Sequence, residues 1–456
     1  MNWKEKDKMI KLQSKKKTTD MTQGKPGPLI LNFAIPMILG NVVQQLYSMV
    51  DSAVVGRFVG KEALAGIGAS ASILMLIICI IIGFTMGTCI ITAQYFGAGE
   101  EDMVKHTAGT AVYVSFAMWI FIAALGAVAG EPVLRALNTP EEIIDGARTY
   151  LLINTMTGIA PITYNMTANI MRALGDSKGP LYALIVSSAL NIILDLVFVI
   201  EFHWGIPGVA WATAISQLIS TLVNLYRIKK QHKVLSLGRE HLKLRPDIVK
   251  KVIKVGIPMS IQNAVASLGA LGIQRIVNGY GTAAYTAGGK IDQIAMMPLS
   301  SLGLAVSTYT AQNFGKKDYG RIREGLKAAL LQAVVLGLFL LLVIQLLGRP
   351  LTLLFVSAKE TEVISVSVEY LKTVSAFYWL CGIMYIFLNV FRGMEKMTIS
   401  TVASCLDPLV RLAGAVVLGN VFGRSALWFG WPVGWAAALL LPVIMYVGML
   451  GKKRFQ

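Results

Sequence analysis

The chain has 456 residues, of which 55% are hydrophobic and only 15% charged, with a mean hydropathy of +0.62. Soluble globular proteins carry about 25% charged residues, so a water-soluble enzyme or binding module is excluded as the class. The formal net charge of +17 is concentrated in short segments between long apolar runs, which is a membrane-sidedness pattern rather than a nucleic-acid surface. A helix needs about 20 apolar residues to cross a bilayer. Runs of that length recur down the chain, and the alternating ten-residue pattern of a membrane barrel is absent.

Taken in chain order, residues 1–26 begin MNWKEKDKMIKLQSKKK and read as a basic cytoplasmic tail beside anionic headgroups. They do not follow the pattern of a cleaved secretory leader, so span 1 at 29–56 is expected to be retained. It places Gln44, Tyr47 and Asp51 on one helix face. Spans 2, 3 and 4 are expected at 66–96, 104–129 and 148–171 as single helices. Span 5, at 180–202, contains NIILDLVFVI, a carboxylate among bulky apolar residues. Asn191 and Asp195 are one turn apart and share a face. Span 6, at 206–227, supplies Thr213.

A basic connector at 229–254 follows. Spans 7 to 12 are expected at 255–279, 284–314, 325–347, 366–391, 398–419 and 430–450, before a cytoplasmic end at 451–456. Here the polar residues are Gln262 and Asn263 in span 7, Asp292 in span 8, Glu369 near the start of span 10 and Asp407 in span 11. Asp292 follows Lys290 by two residues, which suggests local charge neutralisation or a lobe-packing contact. Asp407 precedes Arg411 by one turn, the spacing of an intrahelical ion pair. Arg275 falls at the outer end of span 7. Lys and Arg crowd the tail and the segments after the even-numbered spans, which puts both termini in the cytoplasm of a multi-pass cell-membrane protein.

The chain also reads twice. AIPMILGNVVQQL at 34–46 lines up with GIPMSIQNAVASL at 256–268, TAQYFGAG at 92–99 with TAQNFGKK at 310–317, and NIMRALGD at 169–176 with NVFRGMEK at 389–396. Three blocks in one order give two six-span lobes, 27–228 and 255–450. Six is even, so both enter from one side as parallel repeats. The expectation is an all-α membrane protein with twelve transmembrane helices in two lobes around a central cavity, working by alternating access. At the positions matching Asp51, Asn191 and Asp195, the second lobe has Ile273, Arg411 and Ala415. The titratable pair therefore belongs to the first lobe.

A charge at the bilayer centre costs about 2.5–3.5 kcal/mol on insertion scales, so such residues usually face an interior or an aqueous path. Two carboxylates close together at low dielectric cannot both stay charged cheaply. Such a pair takes up a proton or holds Na⁺ between its oxygens, here at Asp51 and Asp195. The alternative for Asp195 is a structural contact with Asn191. The four cysteines, Cys79, Cys89, Cys381 and Cys405, lie in apolar spans without metal-ligand spacing and read as small core residues. No Walker motif, dinucleotide fingerprint or H-E-x-x-H appears. The expectation is a non-enzyme with no cofactor, driven by an ion gradient.

The segments IPMILGNVVQQLYSMVDSAVVGRFVG in span 1, TAQYFGAG after span 2, RALGDSKGP before span 5 and LNIILD within it resemble the multidrug and toxic compound extrusion (MATE) family, bacterial branch, over about residues 27 to 450. The resemblance implies export of bulky, often cationic organic compounds coupled to H⁺ or Na⁺. It implies a cation site at Asp51, Asn191, Asp195 and Thr213, and a substrate cavity lined by Gln44, Tyr47, Asn165 and Asn169. Gln262, Asn263, Asp292 and Asp407 would form a polar site in the second lobe. Partners would be small organic compounds and the bilayer, with no nucleic acid, and the protein would be a monomer. A lipid-linked oligosaccharide flippase of the same superfamily is the alternative reading.

Overall fold

The structure is a computed structural model describing residues 19–278 and 282–451. Most of the basic tail and the end of the chain lie outside the described residues. The helices of the first lobe are α1 (Pro26–Val54), α2 (Lys61–Gly97), α3 (Glu101–Ala136), α4 (Glu141–Met156), α5 (Ile159–Ala173), α6 (Lys178–Leu196) and α7 (Gly205–Gln231). Those of the second are α8 (Pro246–Asn278), α9 (Thr282–Gly315), α10 (Tyr319–Leu353), α11 (Thr361–Ser375), α12 (Tyr378–Gly393), α13 (Met397–Phe422), the short α14 (Arg424–Leu427) and α15 (Gly430–Gly451). No strand occurs among the described residues. Among the described residues nine helices are long and apolar enough to span a membrane by themselves, and the pair α11 and α12 makes a tenth if taken as one span.

Spans 4 and 10 correct the expectation of single helices. The first is broken between α4 and α5 at Thr157 and Gly158, and the second between α11 and α12 at Ala376 and Phe377, with a bend of 52°. Pro161 stands in the first turn of α5, where a missing amide is tolerated. The two breaks fall at matching places in the repeat, so the duplication preserved a backbone geometry that composition does not reveal. The same holds at the turn after each break helix. Gly175 has φ of +80° and its counterpart Glu395 has φ of +55°, a conformation glycine adopts freely and glutamate does not.

Without water to expel, helices in lipid associate through close packing. Gly83 and Gly87 on α2 meet Gly256 and Ser260 on α8, each pair one turn apart. A Cβ on Gly83 would stand 2.6 Å from the Ser260 amide nitrogen and 2.7 Å from the Gly256 carbonyl oxygen. Further across this seam, Cys79 Sγ lies 3.5 Å from Ser267 Oγ. The glutamines of the two TAQ blocks cross between lobes. Gln94 Nε2 donates to the Gly393 carbonyl at 3.0 Å, and Gln312 Nε2 donates to the Ala173 carbonyl at 2.8 Å. Gln312 Oε1 in turn accepts from the Met21 amide at 2.9 Å, so the segment before α1 is tied down at the same end of the bundle. Ile30, Phe33 and Met37 of α1 bury against Leu302, Tyr309 and Leu326 of the second lobe. These contacts hold the lobes together at the end of the helices that carries the connector.

At that end, outside the membrane-spanning segments, Asp176 sits in the turn between α5 and α6. One oxygen accepts from the Gly179 amide at 2.8 Å and the other lies 3.1 Å from His232 Nε2, just past α7. Both side chains are buried. Burial pushes the carboxyl upward, but the His232 contact, the Gly179 amide and the Arg227 charge outweigh it and hold Asp176 below the usual carboxylate range.

Candidate functional site

Asp51 lies one turn before α1 widens into a π-helical turn at Val55–Val59, and Asp195 two residues before the same happens at Val197–Glu201. π-turns shift side-chain register and recur at functional sites. The two carboxyls lie close enough together to interact strongly. Asp195 is fully buried, and neither of its oxygens receives a hydrogen bond from a described donor. Asp51 is half-buried with Oδ1 in the same condition. Asn191 is 1% exposed and turns Nδ2 toward Thr213 Oγ1 at 3.4 Å, leaving Oδ1 without a donor.

A buried oxygen without a donor is costly, and a buried carboxylate more so. The arrangement therefore has room for a positive species: a proton on the carboxyl pair, or a small hard cation, which takes oxygen ligands of this kind. Asp51, Asp195 and the Asn191 side-chain carbonyl would be the oxygens such a species meets. Tyr47 of α1 and Tyr150 of α4 lie within the electrostatic reach of both carboxyls.

Beside the pair is a cavity of about 340 Å³ between α1, α2, α5, α6 and α7, within the size range of small-molecule sites. Gln44, Tyr47, Asn165, Asn169 and Asn191 all line it, so the structure gathers these residues around one space. Asn165 Nδ2 donates to the Pro161 carbonyl at 2.8 Å, and Asn169 Oδ1 accepts from Arg172 at 3.0 Å. Asp51, Asp195 and Thr213 are not among its lining residues; Asn191 links the cavity to the acids.

In the second lobe Asp292, Asp407 and Gln262 each have hydrogen-bond partners of their own. Asp292 is not neutralised by Lys290, which is exposed. Its oxygens accept from Tyr378 at 2.7 Å and Tyr370 at 3.0 Å. Helix periodicity explains the correction, because residues two apart face different sides. Asp407 pairs with Arg411 on its own helix at 2.5 Å. Gln262 bonds Thr401 at 2.7 Å and Arg392 at 2.6 Å. The Asn263 backbone carbonyl accepts from Ser267 Oγ at 2.9 Å.

Sequence reasoning missed Tyr150 and Arg172 as site residues. Tyr150 has no motif spacing to the acids and comes close only because α4 packs on α2 and α7. Arg172 had a signal, its place in the duplicated NIMRALGD block.

A two-lobed, duplicated bundle of apolar helices with a cavity in the first lobe beside an unsatisfied carboxyl pair defines the class, a membrane transporter. The chain belongs to the MATE transporter family: the family model described as MatE matches it twice, at residues 36–197 and 258–417. It is 29% identical over 451 residues to the probable multidrug resistance protein YoeA of Bacillus subtilis strain 168, covering 95% of this chain and 97% of that one. It is 26% identical over 422 residues to the probable multidrug resistance protein NorM of Thermotoga maritima, covering 88% of each. Its fold matches a solved outward-facing multidrug resistance MATE transporter of the MOP superfamily with a TM-score of 0.89, at 21% identity, over 95% of this chain and 99% of that one.

Proposed function

We propose that the protein is a secondary active multidrug exporter that exchanges H⁺ or Na⁺ for bulky, often cationic organic compounds across the cell membrane, with both termini cytoplasmic. The observation that carries the reading is the donor-free carboxyl pair, Asp51 and Asp195, next to a cavity that Asn191 lines. In the low-dielectric interior the pair is stable only when a cation or proton offsets its charge. An ion arriving from outside is held there while the cavity faces outward. Its release inside resets the lobe for the next substrate, and rocking of the lobes about the small-residue seam alternates access. The names of the relatives agree with multidrug export as the task.

The test is gradient-driven dye efflux from proteoliposomes. Asp195→Asn should abolish efflux at unchanged protein level, and wild-type rates in that variant would overturn the reading. A Na⁺ titration at fixed pH gradient then separates the two ions.

A further inference from the structure

We propose that the first-lobe cavity contains, at Arg172, a subsite for one anionic group of a substrate, a carboxylate or sulfonate, so that zwitterionic compounds are among those it takes. This rests on the reading of the cavity as the substrate space and deepens it.

Arg172 lines the cavity. Its one described hydrogen bond runs from Nη1 to Asn169 Oδ1, and its Nε is buried without a partner. No ion pair to it occurs among the described residues. A guanidinium has five donor hydrogens and always keeps its charge, so most of this group's capacity is unspent.

The internal duplication shows what a satisfied version looks like. Arg392 holds the matching place in the second lobe. Its guanidinium donates to Gln262 Oε1 at 2.6 and 3.2 Å, to Asn389 Oδ1 at 3.4 Å and to Ser404 Oγ at 3.3 Å. In the first lobe Asn169 stands for Asn389, but Gly40 stands for Gln262 and Leu184 for Ser404. Two of the three neutral acceptors are gone while the cation is kept. Where Gln262 fills space in one lobe, the other is open. A Cβ on Gly40 would meet only Leu184 and Leu181, at 3.6 and 3.8 Å, and Gly40 itself lines the cavity.

A half-buried, under-satisfied cation is costly to keep, and an incoming anion with two acceptor oxygens repairs it with two charge-assisted bonds. The cavity extends along α1 from Pro36 to Tyr47, about 16 Å at 1.5 Å rise per residue. Arg172 lies toward the Pro36 end, near Ser177 and Pro180, and the acids lie beyond the Tyr47 end. The two ends thus carry opposite charge, which suits a substrate with a basic nitrogen at one end and an acid at the other.

The experiment uses purified full-length protein in nanodiscs and two probes of one scaffold: rhodamine B, which carries a free benzoate, and its ethyl ester, which does not. Fluorescence anisotropy gives both affinities for wild type, Arg172→Gln and Gly40→Gln. The expected result is tighter binding of rhodamine B than of the ester by wild type. Arg172→Gln should lose roughly tenfold or more for rhodamine B, with the ester little changed. Gly40→Gln, which brings in the second lobe's own acceptor, should weaken rhodamine B more than the ester. Retained ester binding certifies that each variant is folded. Equal affinities in wild type, or an unchanged ratio in both variants, would overturn the subsite alone. Failure of wild type to bind either dye would overturn the cavity's assignment as the substrate space as well.

Discussion

Asp51 of α1 and Asp195 of α6 lie side by side, and neither Asp195 oxygen, nor Oδ1 of Asp51, receives a hydrogen bond from any described donor. Groups that share one proton or one cation act as a unit, and deleting either removes the function. Asp51→Asn and Asp195→Asn should each lower coupled efflux at least tenfold, and the double variant should be little worse than the single ones. Proteoliposome dye efflux measures this. Independent, multiplicative losses would show that the two acids do not work together.

The approach of Cys79 to Ser267 across the α2–α8 seam, 3.5 Å between side-chain atoms, is short enough for a disulfide after small adjustment. With Cys89, Cys381 and Cys405 replaced by alanine, Ser267→Cys should form a bridge to Cys79 on oxidation and stop transport, with recovery on reduction. Cross-linking seen on gels without loss of transport would mean that this seam does not open during the cycle.

Gly83 is in contact with the backbone of α8, so any side chain there must push the lobes apart. Gly83→Ala should cost about 1–3 kcal/mol of stability by overpacking, and Gly83→Leu should bias the protein away from this closed seam. Thermal unfolding reads the first effect. Accessibility of a cysteine at position 79 to a maleimide reads the second, and unchanged labelling would count against the seam as the closing surface.

The contact between Asp176 and His232 gives a pH dependence with a definite sign. The folded carboxyl is held below its ordinary range, so its contribution is present above the unfolded value of about 3.9 and is lost as pH falls through the lower folded value. Asp176→Asn should therefore be less stable than wild type near pH 7, by about 2–3 kcal/mol for a lost bond to a charged group. The difference should shrink below about pH 4. Thermal midpoints of both proteins across pH would reveal it, and a gap that persists at low pH would refute it.

Much of the architecture was legible beforehand because hydropathy and duplication are local or periodic signals. The twelve apolar runs, the repeated TAQ and RALGD blocks and the isolated Asp195 could each be recognised without knowing what lies across from them. Asp51 could be joined to Asp195 because both are acids where acids are expensive, and the Asn191 and Asp195 spacing put both on one face. Gln44, Tyr47, Asn165 and Asn169 around a single cavity followed from the family resemblance rather than from their spacing.

The chain by itself thus determined the solvent, the helices, the two-fold repeat and the lobe that bears the acids, since each depends on composition and spacing along one strand of residues. Only the tertiary structure decided that spans 4 and 10 are broken and that Tyr150 comes within electrostatic reach of the acids. It also decided that two tyrosines hold Asp292, and that Gly40 leaves Arg172 open where Gln262 closes Arg392. Each of these turns on a few ångströms between residues far apart in sequence, and hydrogen bonds and packing are satisfied by such distances, not by order in the chain.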